Sequence, residues 1–72
     1  MLYKRIRELR EDNDLSQRQF AEIMRIHKTT YTRYETGERE IPFHLAISFA
    51  RYYRVSLDYI AGLTNYKNPG SE

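Results

Sequence analysis

One helical repeat in the second half of the chain constrains the fold more than any other feature. Phe43, Ala46, Ile47, Ala50 and Tyr53 recur at i, i+3, i+4, i+7 and i+10, the spacing that gathers apolar groups on one face of an α-helix. Pro42 suits a first helical position, where its missing N–H costs nothing, and Arg54 breaks the pattern. A helix with one apolar stripe has to bury it against other elements. In a chain of 72 residues those elements are necessarily short.

The punctuation supplies them. From Tyr3 to about Glu11, Ile6 and Leu9 share a face and charges fill the rest. Asp12-Asn13-Asp14 then stops the helix, since Asn and Asp tolerate left-handed backbone and bond their own chain. Ser16 is a cap for a second helix, and Gln19, three residues on, completes a capping box. Leu15 precedes the cap and is placed to staple onto Phe20, and Phe20, Ile23 and Met24 follow at helical spacing. Arg25 stands at the stop and Ile26 restarts the apolar pattern. A third helix, about Lys28 to Thr36, presents Tyr31 and Tyr34 at i and i+3, with Gly37 as its left-handed stop. Glu38 to Ile41 reads as a loop. Ser56 caps a last helix, Leu57 to Ala61, with Asp58 near its positive end and Gly62 as its stop. No strand alternation or repeat is present. The expectation is an all-α domain of five short helices over residues 1–64, with 65–72 a flexible C-terminal tail because it contains Pro, Gly and Ser.

Composition narrows the function. One domain is the only sensible count, and a domain of this size buries only about 60% of its unfolded surface. With no cysteine, a disulfide scaffold, a thiolate zinc site and a cysteine nucleophile are excluded together. That fits a reducing cytoplasm. His27 and His44 are the only imidazoles and form no H-E-x-x-H pair. Gly37, Gly62 and Gly70 lie too far apart for a phosphate-cradling loop. No catalytic set, cofactor or metal is expected. The start of the chain mixes charges and has no signal-peptide stretch, and no run approaches the roughly 18 apolar residues of a membrane span. The net charge of +2 is mild, but residues 1–33 carry eight bases and five acids, and residues 34–72 four and five. The cationic half is the half that holds the second and third helices.

Between Gln17 and Tyr34, Phe20, Met24, Ile26, Tyr31 and Tyr34 form an apolar set. Ala21 is small where two helices cross, and Lys28, Thr29, Thr32 and Arg33 stay on the outer face. Leu15-Ser16-Gln17 with Phe20-Ala21, then Thr32-Arg33-Tyr34-Glu35-Thr36-Gly37, and later Val55-Ser56-Leu57-Asp58-Tyr59-Ile60-Ala61-Gly62, occur in order and at matching spacing. In these segments the chain resembles the helix-turn-helix family of the phage-repressor/Cro type, over about residues 3–63. It departs from that family's pattern at Arg25, where the turn usually has Gly, at His27 in place of a small capping residue, and at Glu38 and Glu40, acids in a loop that would pass near phosphate.

The resemblance implies that the second helix lies across a DNA backbone and the third enters the major groove. Carried over by position, Lys28, Thr29, Thr32 and Arg33 would face base edges. Ser16, Gln17, Thr30, Thr36 and Arg39 would meet phosphates, and Arg10 and Glu35 would form a structural ion pair. An arginine can donate two parallel bonds to guanine O6 and N7, and a threonine methyl can pack on a thymine methyl. The implied activity is sequence-specific binding of double-stranded DNA by a small transcriptional regulator, a repressor acting as a homodimer on a palindrome with half-sites about 10 bp apart or a multiple. Tyr52, Tyr59, Leu63 and Tyr66 form an aromatic-rich set near the C-terminus, read either as the dimer surface or as packing of the fifth helix on the fourth. The alternative function is an antitoxin-type module that binds a toxin and regulates its own operon.

Overall fold

The computed structural model describes residues 3–68. Five helices follow one another, α1 Ile6–Asp12, α2 Gln17–Met24, α3 Lys28–Thr36, α4 Phe43–Tyr53 and α5 Leu57–Ala61, with no strand among the described residues.

Each boundary has a local chemical cause. α1 begins at Ile6 rather than Tyr3, because residues 4 and 5 form a turn whose Arg5 N–H donates to the Ile60 carbonyl at 3.1 Å. That bond anchors the start of the chain to α5. Asn13 ends α1 by donating its side-chain amide to the Leu9 carbonyl at 2.7 Å, and Asp14 takes a left-handed φ of 56°. At α2, Ser16 Oγ accepts the Gln19 N–H while Gln19 Oε1 accepts the Ser16 N–H, a complete capping box. Ser56 caps α5 through the Tyr59 N–H. Pro42 is the residue before α4 rather than its first turn. Its backbone is extended, with ψ of 145°, and its carbonyl accepts the first α4 bonds from Leu45 and Ala46.

The core is built around Phe20. Its ring meets Tyr31 at 5.2 Å, Phe49 at 5.1 Å, Tyr52 at 5.5 Å and Tyr53 at 5.2 Å, so one side chain ties α2 to α3 and α4. The pairs with Tyr31, Phe49 and Tyr52 are edge-to-face and that with Tyr53 is stacked; aromatic pairs of either kind contribute about 0.5–1.5 kcal/mol each beyond area burial. Ile6, Leu9, Ala21, Tyr34, Ile41, Ala46, Ala50, Val55, Tyr59 and Ile60 complete the buried set.

Two helical faces are rotated from their expected positions. On α4 the buried stripe is Ala46, Phe49 and Ala50, with Tyr53 half-buried, whereas Phe43 is 65% exposed and Ile47 only half-buried. The stripe turns because Phe49 is drawn to the Phe20 cluster. On α2, Ile23 is 43% exposed, and Phe20 and Ala21 form the inner face with Met24 beside them. Residues 65–68, expected in the tail, touch the body: the Ser56 N–H donates to the Lys67 carbonyl at 2.7 Å and Arg5 donates to Asn65 at 2.8 Å. The rest of that expected tail lies outside the described residues.

Candidate nucleic-acid interface

α3 sorts its side chains by angle. At 3.6 residues per turn, Lys28, Thr29, Thr32, Arg33 and Thr36 fall within one arc of about 140°. Lys28, Thr29, Arg33 and Thr36 are exposed and Thr32 is half-buried. Tyr31 and Tyr34 occupy the opposite arc and are buried, Tyr31 completely. Thr30 is half-buried at the edge of that inner arc. Two inward tyrosines therefore fix the rotation of the helix about its axis, and that rotation decides which polar groups face out.

A polar chain fixes its depth. Arg10 Nε donates to Glu35 Oε2 at 2.6 Å, and Gln17 Nε2 donates to Glu35 Oε1 at 3.0 Å. Gln17 Oε1 in turn accepts the Thr32 hydroxyl at 2.9 Å, a proton that the Lys28 carbonyl also attracts at 3.0 Å. The Gln17 amide has one workable orientation, because reversal would set its oxygen against the carboxylate. Burial opposes ionisation of Glu35, but the hydrogen bonds from Arg10 and Gln17 and the charge of Arg10 help to outweigh it, and the carboxyl is held below its usual value. Burial first, and then the Glu35 carboxylate beside it, pushes the Tyr31 phenol well above its usual value. The Arg10 guanidinium is raised above its ordinary value, chiefly by its hydrogen bond to Glu35.

The turn between α2 and α3 is closed tightly. Arg25 adopts a left-handed φ of 59° and ψ of 43°, and the Ile26 N–H reaches back to the Ala21 carbonyl at 3.0 Å. The turn thus keeps the glycine-type geometry although an arginine occupies it. Ala21, 1% exposed, lets the two helices approach. His27 precedes α3 without a side-chain capping bond.

The remaining candidate residues sort by their partners. Ser16 is exposed and its hydroxyl serves the cap; Gln17 is half-buried, with its amide nitrogen donating to Glu35 and its amide oxygen accepting from Thr32. Thr36 Oγ donates to the Arg33 carbonyl, and Arg39 is exposed in the following loop. Arg5 is taken up within the domain, its guanidinium 4.3 Å from the centre of the Tyr59 ring. Tyr59 is only 8% exposed, which removes it from the expected dimer surface: it packs inside its own protomer, under Arg5. Tyr52, Leu63 and Tyr66 keep 42%, 68% and 55% of their surface. Phe43 and Leu63 flank a small apolar hollow of about 190 Å³, also lined by Tyr3, Leu57 and Ala61. Neither the exposure of Phe43 nor the Arg33–Glu38 contact described below was foreseen from the sequence. Glu38 itself stood out, with Glu40, as an acid in a loop expected to pass near phosphate.

Comparison with known proteins agrees with this architecture. A helix-turn-helix family model matches residues 6–60. An uncharacterized HTH-type transcriptional regulator, YobD of Bacillus subtilis (strain 168), is 39% identical over 72 residues, covering all of this chain and 64% of its own. Antitoxin PezA of Streptococcus pneumoniae serotype 4 is 33% identical over 69 residues, 96% of this chain and 44% of its own. A second uncharacterized HTH-type transcriptional regulator of B. subtilis, YqaE, is 32% identical over 60 residues, 83% of this chain and 52% of its own. The chain thus spans between 44% and 64% of the length of these relatives. No solved structure matches it. Among the described residues no helix is long and apolar enough to cross a membrane. With the matched segment running from the first residue of α1 into the last turn of α5, the chain belongs to the helix-turn-helix family, of the phage-repressor/Cro type.

Proposed function

We propose that this domain binds double-stranded DNA at specific sequences and regulates transcription, as a repressor that occupies its operator as a dimer. The observation that carries this reading is the division of α3. Its tyrosines are buried in the core while Lys28, Thr29 and Arg33 stand exposed on one arc beside Thr32. A helix anchored on one face and studded with donors on the other fits a major groove. In this reading Lys28, Thr29, Thr32 and Arg33 meet base edges. Thr32 offers its methyl, since its hydroxyl is already engaged by Gln17 and the Lys28 carbonyl.

Phosphates are met around this helix. The first N–H groups of α2 lack intrahelical partners. The capping box uses that of Gln19, leaving those of Gln17 and Arg18 to face an anion at the positive end of the helix. The Gln17 side chain sets where that end sits against α3. Thr30, Thr36 and Arg39 flank the strand on the other side. Phosphate neutralisation supplies most of the affinity, so binding falls with salt, while base contacts supply selectivity. Residues 1–64 form the binding unit. Two copies on a palindrome bring a two-fold surface near Tyr52, Leu63 and Tyr66, three exposed members of the expected set.

Selection of bound duplexes from a random pool, followed by affinity measurement on the winner and on scrambled sequence, tests the proposal. A palindromic consensus bound many-fold above scrambled DNA is expected. Equal affinity for both would overturn it. The similarity to antitoxin PezA over 96% of this chain supports a second reading, in which the same domain also serves an antitoxin. Purification from its native host in complex with a toxin would favour that reading.

A further inference from the structure

We infer that Glu38 is a specificity-determining residue that acts through Arg33, an inference resting on the reading of α3 as the DNA-reading helix. Glu38 Oε2 lies 3.8 Å from Arg33 Nε, and both side chains are more than half exposed, at 68% and 52%. The backbone places the carboxylate there. Gly37 turns the chain with a φ of 83°. Thr36 Oγ then donates to the Arg33 carbonyl at 3.1 Å and accepts the Glu38 N–H at 3.4 Å. The Arg39 N–H returns to the same Arg33 carbonyl at 3.3 Å. The loop on both sides of Glu38 is therefore tied, directly or through Thr36, to the residue whose guanidinium Glu38 approaches.

The geometry of the contact divides the guanidinium in two. Glu38 approaches the Nε edge and leaves the two Nη groups, which form the end-on fork that matches guanine O6 and N7. At a guanine, the carboxylate sits behind the fork and does not face the acceptors. Along random sequence Arg33 can offer only charge to phosphates, and charge is what Glu38 cancels. Glu38 therefore weakens unspecific binding more than guanine readout, and the ratio of specific to unspecific affinity rises. Exposed ion pairs of this type correspond to changes of about two- to fivefold in an equilibrium constant.

The test is a cycle of four proteins: the native sequence, Glu38→Gln, Arg33→Met and the double variant. Each is titrated by fluorescence anisotropy, at one salt concentration, with the selected duplex and with a random-sequence duplex of equal length. Glu38→Gln is expected to lower the affinity ratio by about two- to fivefold, chiefly by tightening the random duplex. In the Arg33→Met background the same change is expected to leave the ratio where it was, even if both affinities rise together. A ratio unaffected by Glu38→Gln, or lowered equally in both backgrounds, overturns the inference, because Glu38 would then act only as diffuse negative charge. A native protein that prefers no duplex at all overturns the DNA-reading proposal and this one with it. That failure is visible before any variant is measured. Both positions are exposed, so unchanged circular dichroism melts establish that the variants fold.

Discussion

Arg10 and Glu35 are 25 residues apart in sequence, and their side chains meet at 2.6 Å with 11% and 4% of their surfaces exposed. The same guanidinium donates through Nη1 to the Leu15 carbonyl at 2.7 Å. One side chain on α1 thus holds both the turn into α2 and the inner edge of α3. Through Gln17 the carboxylate passes the restraint on to Thr32. The outward face of α3 is positioned by a polar chain that begins on α1.

Removing one end of this pair strands the other. Arg10→Met leaves a carboxylate that is almost fully buried without its cation, and breaking a buried pair from one side costs about 3–5 kcal/mol. A domain of this length has a total stability of about 4–11 kcal/mol, so the variant should lose from about a quarter to all of it. Arg10→Met combined with Glu35→Leu should recover much of the loss, because two apolar groups need no partner. Urea titration followed by circular dichroism measures both. A loss under about 1 kcal/mol for the single variant would mean that the pair behaves like an exposed one.

The same carboxylate sets an acid limit. Its folded pKa lies below the unfolded value, so between the two the unfolded chain binds more protons and stability rises with pH. The contribution is fully present above the ordinary glutamate value of about 4.3 and is lost as pH falls through the depressed folded value. Thermal melts from neutral pH downward should show the melting temperature dropping below about pH 4. In Glu35→Gln, which starts less stable, that part of the slope should be gone. An acid slope unchanged in the variant would assign it to other carboxylates.

The sequence disclosed those features that are set locally. Helix stops at Asn13, Gly37 and Gly62 and the Ser16–Gln19 capping box depend on residues within one turn, so their spacing reveals them. Rotation of a helix about its axis depends on what packs across from it. α4 turned Phe49 inward and Phe43 outward because Phe20, on another helix, accepts Phe49. Tyr59 is equally ambiguous in sequence until Arg5 is found over its ring. On α3 the outer arc followed from the two tyrosines alone. The Arg33–Glu38 contact needed the turn at Gly37 to be seen, since residues five apart on a continuous helix do not face each other.

Arg25 stores strain that glycine would release. Left-handed backbone costs an L-residue with a Cβ about 1–2 kcal/mol, and Arg25 adopts it with no side-chain hydrogen bond in return. Arg25→Gly should therefore stabilise the domain by about 0.5–1 kcal/mol, part of the relief being offset by the greater freedom of glycine in the unfolded chain. Arg54 has the matching geometry after α4, with φ of 58°, and Arg54→Gly should behave alike. Paired chemical melts check both, and a loss of stability in either would show that its arginine stem packs more favourably than the strain costs.

Arg33 and Gln17 separate reading from positioning. Arg33 is exposed and carries only the loose contact to Glu38, so Arg33→Ala should leave the melting temperature within error. On the selected duplex it should cost about 1–3 kcal/mol and relax preference at one base pair. Gln17→Ala removes a partner from both Thr32 and Glu35. It should lower stability by about 1 kcal/mol and weaken all duplexes by similar factors, because it loosens the seating of α3 against α2 as a whole without removing a side chain that meets a base. Repeating the random-pool selection with each variant distinguishes them: a consensus altered at one position for Arg33→Ala and unaltered for Gln17→Ala. If instead Arg33→Ala weakens every duplex alike while Gln17→Ala changes the consensus, α3 is not the element that reads the sequence, and the major-groove assignment fails.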